Sequence, residues 1–245
     1  KGTPIYLNRA AAYLAKRDGK WTAIVDGEAL VEFPGSMPKE ANLPDLKLTP
    51  KGEPFFAVQM ADGSQVYVHP NQKKKTGFDR VQGLTFNKDG SQFAYIGVRK
   101  TGDKETRFAV HNDEVSSEYR YVSDLQFSPD GKHLYYVARK DDDEVLVTDG
   151  KEGRVADDFK SIVFSPDGKS MAMRVKRGEE FVVFWDEYEI AKYPYDAFFE
   201  VSVDNSLVFS PDSKTLAYFA QADGRQFLVA HRGGSAYKSP GYKRI

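Results

Sequence analysis

Phe127-Ser-Pro-Asp-Gly-Lys-His-Leu-Tyr-Tyr-Val-Ala138 joins two apolar runs through a turn. Pro129 fixes φ, Asp130 bonds its own backbone and Gly131 accepts positive φ. Before the turn, Ser123–Ser128 alternates as a strand does; after it, His133–Arg139 reads as a second strand. Lys140–Asp143 is a polar loop, Glu144–Thr148 a third strand, and Asp149-Gly150 a strong hairpin signal. Glu152–Ala156 completes the unit as a short, polar outer strand.

The same unit recurs along the chain. Phe86-Asn-Lys-Asp-Gly90, Phe164-Ser-Pro-Asp-Gly168 and Phe209-Ser-Pro-Asp-Ser213 are close copies, Leu48-Thr-Pro-Lys-Gly52 is a weaker one, and Ile5-Tyr-Leu7 is degenerate. The anchors Leu7, Leu48, Phe86, Phe127, Phe164 and Phe209 lie 41, 38, 41, 37 and 45 residues apart. Passing from Phe209 through the C-terminus and on from the N-terminus to Leu7 adds an ordinary 43. Four short antiparallel strands per repeat of this length predict a propeller blade, which must stack on neighbours to bury its faces. The expectation is an all-β, six-bladed β-propeller forming one domain over 1–245, with blades at 1–41, 42–79, 80–120, 121–157, 158–202 and 203–245. Ala10–Lys16 has a helical composition, but its repeat position predicts strand.

The bulk composition excludes several classes. With 245 residues the chain can bury about three quarters of its unfolded surface and needs no staples. It has no cysteine, so disulfides, zinc–thiolate sites and cysteine nucleophiles are ruled out. Lys plus Arg (35) balances Asp plus Glu (36), which argues against a nucleic-acid footprint. No apolar run approaches the roughly 20 residues of a membrane span.

The recurring Phe-Ser-Pro-Asp-Gly-Lys followed by a strand such as Leu134-Tyr-Tyr-Val-Ala138 resembles the WD-repeat-like propeller repeat of the TolB type. Val147-Thr-Asp-Gly-Lys-Glu-Gly153 is similar to a recurring step in bacterial proteins of that kind, and Trp185-Asp186 sits where the Trp-Asp dipeptide of WD repeats would fall. The resemblance implies that the first strand of each blade lines a central channel. The Pro-Asp-Gly turns and the turns at Asp26-Gly27 and Asp149-Gly150 then share one face. The other face carries the second-to-third loops, Arg99–Glu105 and Lys176–Glu179 among them, and the starts of the inner strands. Such propellers serve as protein-binding platforms, as gating domains of peptidases and as enzymes.

Two function classes follow. The preferred one is a non-enzymatic binding scaffold that recognises a protein or peptide partner at the channel-mouth face. Its contacts would be Tyr121, Lys160, Phe198 and Phe199, the last two in an enlarged loop, 193–204, that also carries Tyr193 and Tyr195. The alternative is a metal-dependent hydrolase or lactonase-like propeller with a cation in the channel. Asp45 and Asp124 fall three residues before their anchors, and with Asn205 they offer oxygen ligands suited to calcium. No other cofactor is implied. His69, His111, His133 and His231 fall at strand ends and read as structural. No G-x-S-x-G elbow, phosphate loop, H-E-x-x-H or EF-hand spacing occurs. The cluster Arg99, Lys100, Lys104 and Arg107 reads as a solvated loop, as does Lys73–Lys75. Neither nucleic acid nor membrane insertion is expected. The resemblance and the first residue, Lys1, point to an extracytoplasmic location, and the chain can be one module of a larger protein.

Overall fold

The computed structural model describes residues 5–7, 10–17, 20–25, 27–34, 47–51, 54–59, 65–69, 72–194, 207–222 and 225–243. Every element among them is a strand. The chain divides into two compact units, Lys1–Gln126 and Phe127–Ile245.

In the first unit, β1 (Ile5–Leu7), β2 (Ala10–Arg17), β3 (Lys20–Val25) and β4 (Glu28–Pro34) form one sheet in that order. A second sheet holds β5 (Lys47–Leu48), β6 (Pro54–Gln59), β7 (Gln65–His69) and β8 (Gln72–Lys75). A third holds β9 (Arg80–Phe86), β10 (Phe93–Thr101), β11 (Lys104–His111) and β12 (Glu114–Val115). The division between units falls inside β13 (Tyr121–Phe127), which pairs with β14 (Leu134–Arg139) and is followed by β15 (Glu144–Thr148) and β16 (Lys151–Ala156). In the second unit, β17 (Asp158–Phe164), β18 (Met171–Arg177), β19 (Glu180–Trp185) and β20 (Tyr188–Pro194) form a sheet. The last sheet has β21 (Leu207–Phe209), β22 (Thr215–Ala222), β23 (Arg225–Arg232) and β24 (Ser235–Lys238). Its outer edge is split: β25 (Tyr242–Lys243) also pairs with β23, beyond Pro240, which has no N–H to donate.

Each sheet is an antiparallel meander of consecutive strands, as the repeats predict, and Ala10–Lys16 lies within strand β2. The expected loop Arg99–Glu105 is mostly strand. Only Gly102 and Asp103 turn, with Gly102 at φ +61°, because Lys100 and Glu105 face each other as an opposite-charge cross-strand pair. Lys176–Glu179 tightens likewise over Gly178 and Glu179, with Arg177 opposite Glu180.

The Phe-Ser-Pro-Asp-Gly turns share one hydrogen-bond pattern. Ser165 is fully buried; its hydroxyl donates to Asp167 at 2.7 Å and accepts the Ser170 N–H at 2.9 Å. Ser128 and Ser210 make the same pair of bonds with Asp130 and His133, and with Asp212 and Thr215. Asn87 replaces the serine in the third sheet, its Oδ1 accepting the Gln92 N–H at 3.0 Å. A second latch closes three of the sheets, β9–β12, β13–β16 and β17–β20, further out. Asn112, Asp149 and Asp186, all at positive φ, accept the backbone N–H of Phe93, Leu134 and Met171 through their side chains at 2.8–2.9 Å. Short polar side chains are the non-glycine residues that tolerate this conformation and can bond back to the chain.

Alternation along β18 and β19 sends side chains to two different neighbours. Met173, Val175, Val182 and Phe184 pack with Val137 and Leu146. From the same two strands, Ala172, Phe181 and Val183 pack the other way, with Leu207, Leu216, Tyr218 and Phe227. The sheet β17–β20 is therefore buried on both faces. In the first unit Phe55 inserts between Phe86 and Phe93, at 5.3 and 5.0 Å between ring centroids. The turns also touch: an added Cβ on Gly168 would lie 2.8 Å from the Asp130 nitrogen, and the Asp167 N–H donates to Ser213 at 3.1 Å.

Candidate functional site

The starts of the inner strands were expected to carry the site, and their backbone is irregular. In β9, Gly83 and Leu84 together oppose Tyr95, and Gly83 has φ +65°. Asp124 occupies the same repeat position in β13, three residues before its anchor, and has φ +52°. Aspartate is among the few residues other than glycine that adopt this conformation readily. Its identity is thus accounted for by the backbone, and its exposed carboxylate accepts the Ser123 hydroxyl at 2.7 Å. Asp45 and Asn205, the other two expected ligands, lie outside the described residues. Among the described residues no three of His, Asp or Glu gather as a metal site.

In β17 the irregularity falls at Lys160, between the pairs Phe159–Val175 and Ser161–Arg174. The Lys160 ammonium is bonded to the Asp158 carboxylate. The neighbouring Ser161 hydroxyl is buried without a hydrogen-bond partner.

Tyr121 opens β13 and is 45% exposed. The Arg107 guanidinium lies 5.6 Å from its ring centroid. Arg107 in turn donates to the Arg120 carbonyl at 3.0 Å and to Glu105 at 3.1 Å, and Glu105 also binds Arg80 at 3.2 Å. The ring therefore presents its phenol on a charge-braced platform. Of the basic cluster, Arg99, Lys100 and Lys104 are exposed, as expected of a solvated segment; Arg107 is engaged here, and Arg99 also lies over the rings of Phe78 and Phe108 at 5.1 and 4.9 Å. Phe198, Phe199 and Tyr195 lie outside the described residues. Tyr193 packs inward, its hydroxyl 3.1 Å from that of Tyr218 and its ring against the core of the last two sheets.

The histidines are structural where described. His133 Nδ1 lies 2.7 Å from Asp149, His111 Nε2 2.8 Å from Gln92 Oε1, and His231 Nε2 2.9 Å from the Tyr218 hydroxyl. Burial pushes the His231 imidazole below its ordinary value. One feature escaped the sequence reading: a cleft of about 680 Å³ between the sheets β13–β16 and β17–β20, with Arg154 and Arg177 in its wall.

No known protein-family profile matches the chain, and no curated protein matches it. Among solved structures it is similar to TolB from Acinetobacter baumannii at 13% identity and TM-score 0.40, over 96% of this chain and 64% of that one. It is similar to the β-propeller domain of the Trilobed protease from Pyrococcus furiosus, described as having an open velcro topology, at 14% identity and TM-score 0.45, over 97% and 81%. It is also similar to the Cps50 (Swd1) β-propeller domain from Myceliophteria thermophila at 10% identity and TM-score 0.40, over 100% and 87%. The chain thus spans just under two thirds of the length of the TolB protein it matches.

Proposed function

We propose that the chain is a non-enzymatic propeller scaffold, its six sheets closed as blades of one ring, that takes a protein or peptide partner where the inner strands begin. Tyr121, Lys160, Phe198 and Phe199 make the contacts. The observation that carries this reading is Tyr121: a large aromatic side chain 45% exposed, with Arg107 held over its ring. Tyrosine and arginine are the residue types that concentrate binding energy at protein interfaces. A rigid ring already braced by an ion-pair chain loses little freedom when a partner covers it.

The test is site-specific photo-crosslinking in cells of the native source. A benzoyl-phenylalanine replaces Tyr121 in one variant and the more exposed Tyr188, at 76% and at the start of β20, in another. One adduct of defined mass from position 121, absent from position 188, is the expected outcome. The Phe198→Ser, Phe199→Ser double variant should lose that adduct while unfolding at the same urea concentration. The same adducts from both positions, or none from 121, would overturn the proposal; a double variant that unfolds assigns the two phenylalanines to packing between sheets instead.

A further inference from the structure

The third and fourth residues of the outer strand are Leu30 and Val31 in β4 and Ile190 and Ala191 in β20. Ile190 and Ala191 pack against the core between their sheet and the next. In β16 the same two places hold Gly153 and Arg154. Both oppose Leu146 across a bulge, since Val145 pairs with Val155 and Val147 with Glu152. A branched apolar side chain is thus missing where the next sheet has one. The bulge turns Arg154 out of the alternation of its strand, and its side chain is only 18% exposed among otherwise solvent-facing neighbours. The result is the cleft of about 680 Å³.

Its chemistry is two-sided. Leu146, Met171 and Met173 line it together with Tyr135 and Phe164, whose rings are 4.8 Å apart. Arg154 and Arg177 share the Phe184 ring, their guanidinium carbons 3.8 and 5.2 Å from its centroid. Two like charges are held on one apolar support with little to neutralise them. Among the described residues Arg177 donates to the Val155 carbonyl at 3.4 Å, and Arg154 to the Glu187 carbonyl at 3.4 Å and its carboxylate at 3.3 Å. All three bonds are long, and the Glu187 side chain is 93% exposed. Lys169 adds a third cation to the lining; Asp186, the second carboxylate, is committed to the Met171 N–H and the Ser170 hydroxyl. Burial depresses Arg154; Glu187 and Glu189 oppose the shift, and Arg177 adds to it.

We infer that this cleft binds an organic carboxylate with an apolar body, free or as the C-terminal residue of a peptide, its carboxylate between Arg154 and Arg177 and its body on the methionine and aromatic wall. Guanidinium forks suit a carboxylate, and an apolar body would cover the surface that the absent branched side chain leaves open.

The test uses the whole chain labelled with ¹³C at the methionine methyls. Two of its four methionines, Met171 and Met173, line the cleft. N-acetyl-phenylalanine and acetyl-Gly-Gly-Phe acid are titrated beside their C-terminal amides. The Met171 and Met173 signals should move and saturate with the acids and stay in place with the amides. Tighter binding of the tripeptide acid assigns a peptide terminus, and equal or weaker binding a free carboxylate. Arg154→Ala, which installs the residue of the next sheet, and Arg177→Ala should each weaken the acids at least tenfold with an unchanged urea midpoint. Unmoved methionine signals, equal shifts with acids and amides, or full affinity in both variants would overturn the assignment.

Discussion

The Glu144 carboxylate ties two sheets together by accepting the backbone N–H of Phe159 at 2.7 Å. Its other oxygen accepts Arg139 at 2.7 Å, and the glutamate is only 7% exposed. Glu144→Ala would strand a buried N–H and remove the partner of a half-exposed arginine. The N–H is the larger loss, because Arg139 can reach water. The expected cost is about 2–3 kcal/mol for Glu144→Ala and about 1 kcal/mol for Glu144→Gln, which keeps an acceptor. Urea titration reads both as midpoint shifts at constant slope.

The repeated turn serines make a second prediction. Ser165→Ala removes a buried hydroxyl that bonds both Asp167 and Ser170, and should cost about 1–2 kcal/mol. The aspartates carry the pH dependence. Asp130, Asp167 and Asp212 are held below the ordinary 3.8 first by the hydroxyls of Ser128, Ser165 and Ser210, then by the following backbone N–H groups. Asp89 is lowered in the same way by Ser91. A carboxyl with a depressed native value stabilises the fold above its unfolded value. That contribution is lost as pH falls through the native value. Stability should therefore decline as pH drops below 3.8, and less steeply when Ser128, Ser165 and Ser210 are all alanine. Equilibrium unfolding between pH 2.5 and 6 checks the slopes.

Strand order, the four-strand meander and the turn chemistry were legible because alternation, Pro-Asp-Gly and Asp-Gly each have a direct backbone cause. Asp124 reads two ways, since the same letter serves a calcium ligand or a residue at φ +52°. Gly83 at the matching repeat position, φ +65°, supports the backbone reading. The cleft was hidden for a related reason. Outer strands are polar enough to mask their register, and only aligning Gly153-Arg154 with Ile190-Ala191 exposes the missing side chain. Charge in a sequence does not show which guanidinium lies over which ring, as the exposed Arg99 does over Phe78 and Phe108.

Asp124 can be tested directly. If its place reflects the backbone, Asp124→Gly should leave stability within about 0.5 kcal/mol, whereas Asp124→Val should cost about 1–2 kcal/mol. Calcium should then shift the melting temperature of the wild type and of Asp124→Gly equally or not at all. A shift present in the wild type and lost in Asp124→Gly would make Asp124 a ligand.

Two glycines separate conformation from contact. Gly150 has φ +76° with nothing within 4 Å of an added Cβ, so Gly150→Ala should cost about 1 kcal/mol. Gly168 has φ +71°, and its added Cβ would meet the Asp130 nitrogen at 2.8 Å. Gly168→Ala should cost about 2–3 kcal/mol, the excess measuring how tightly the two turns abut. Equal losses in a urea titration would place the turns further apart than described.

His231 gives a pH dependence in a second window. Strand β23 runs on to Arg232, so His231 pairs with Leu216 and takes the register that Asp149 and Asp186 hold opposite Leu134 and Met171. Instead of latching the backbone it stacks on Tyr218, 5.7 Å between centroids, with Nε2 at 2.9 Å from the phenol. Burial raises the Tyr218 phenol far above its ordinary value, so it stays protonated and can donate to a neutral Nε2. Protonating His231 would place a charge on a partly buried ring, so its native value lies below 6.5. The unfolded chain then binds the proton first as pH falls. Stability is full above 6.5 and is lost as pH falls through the native value. The imidazole resonance should titrate below 6.5 by NMR, and His231→Gln should flatten the unfolding free energy between pH 5 and 6.5. A midpoint at or above 6.5 would mean that the ring is open to water and the Tyr218 hydrogen bond does not form.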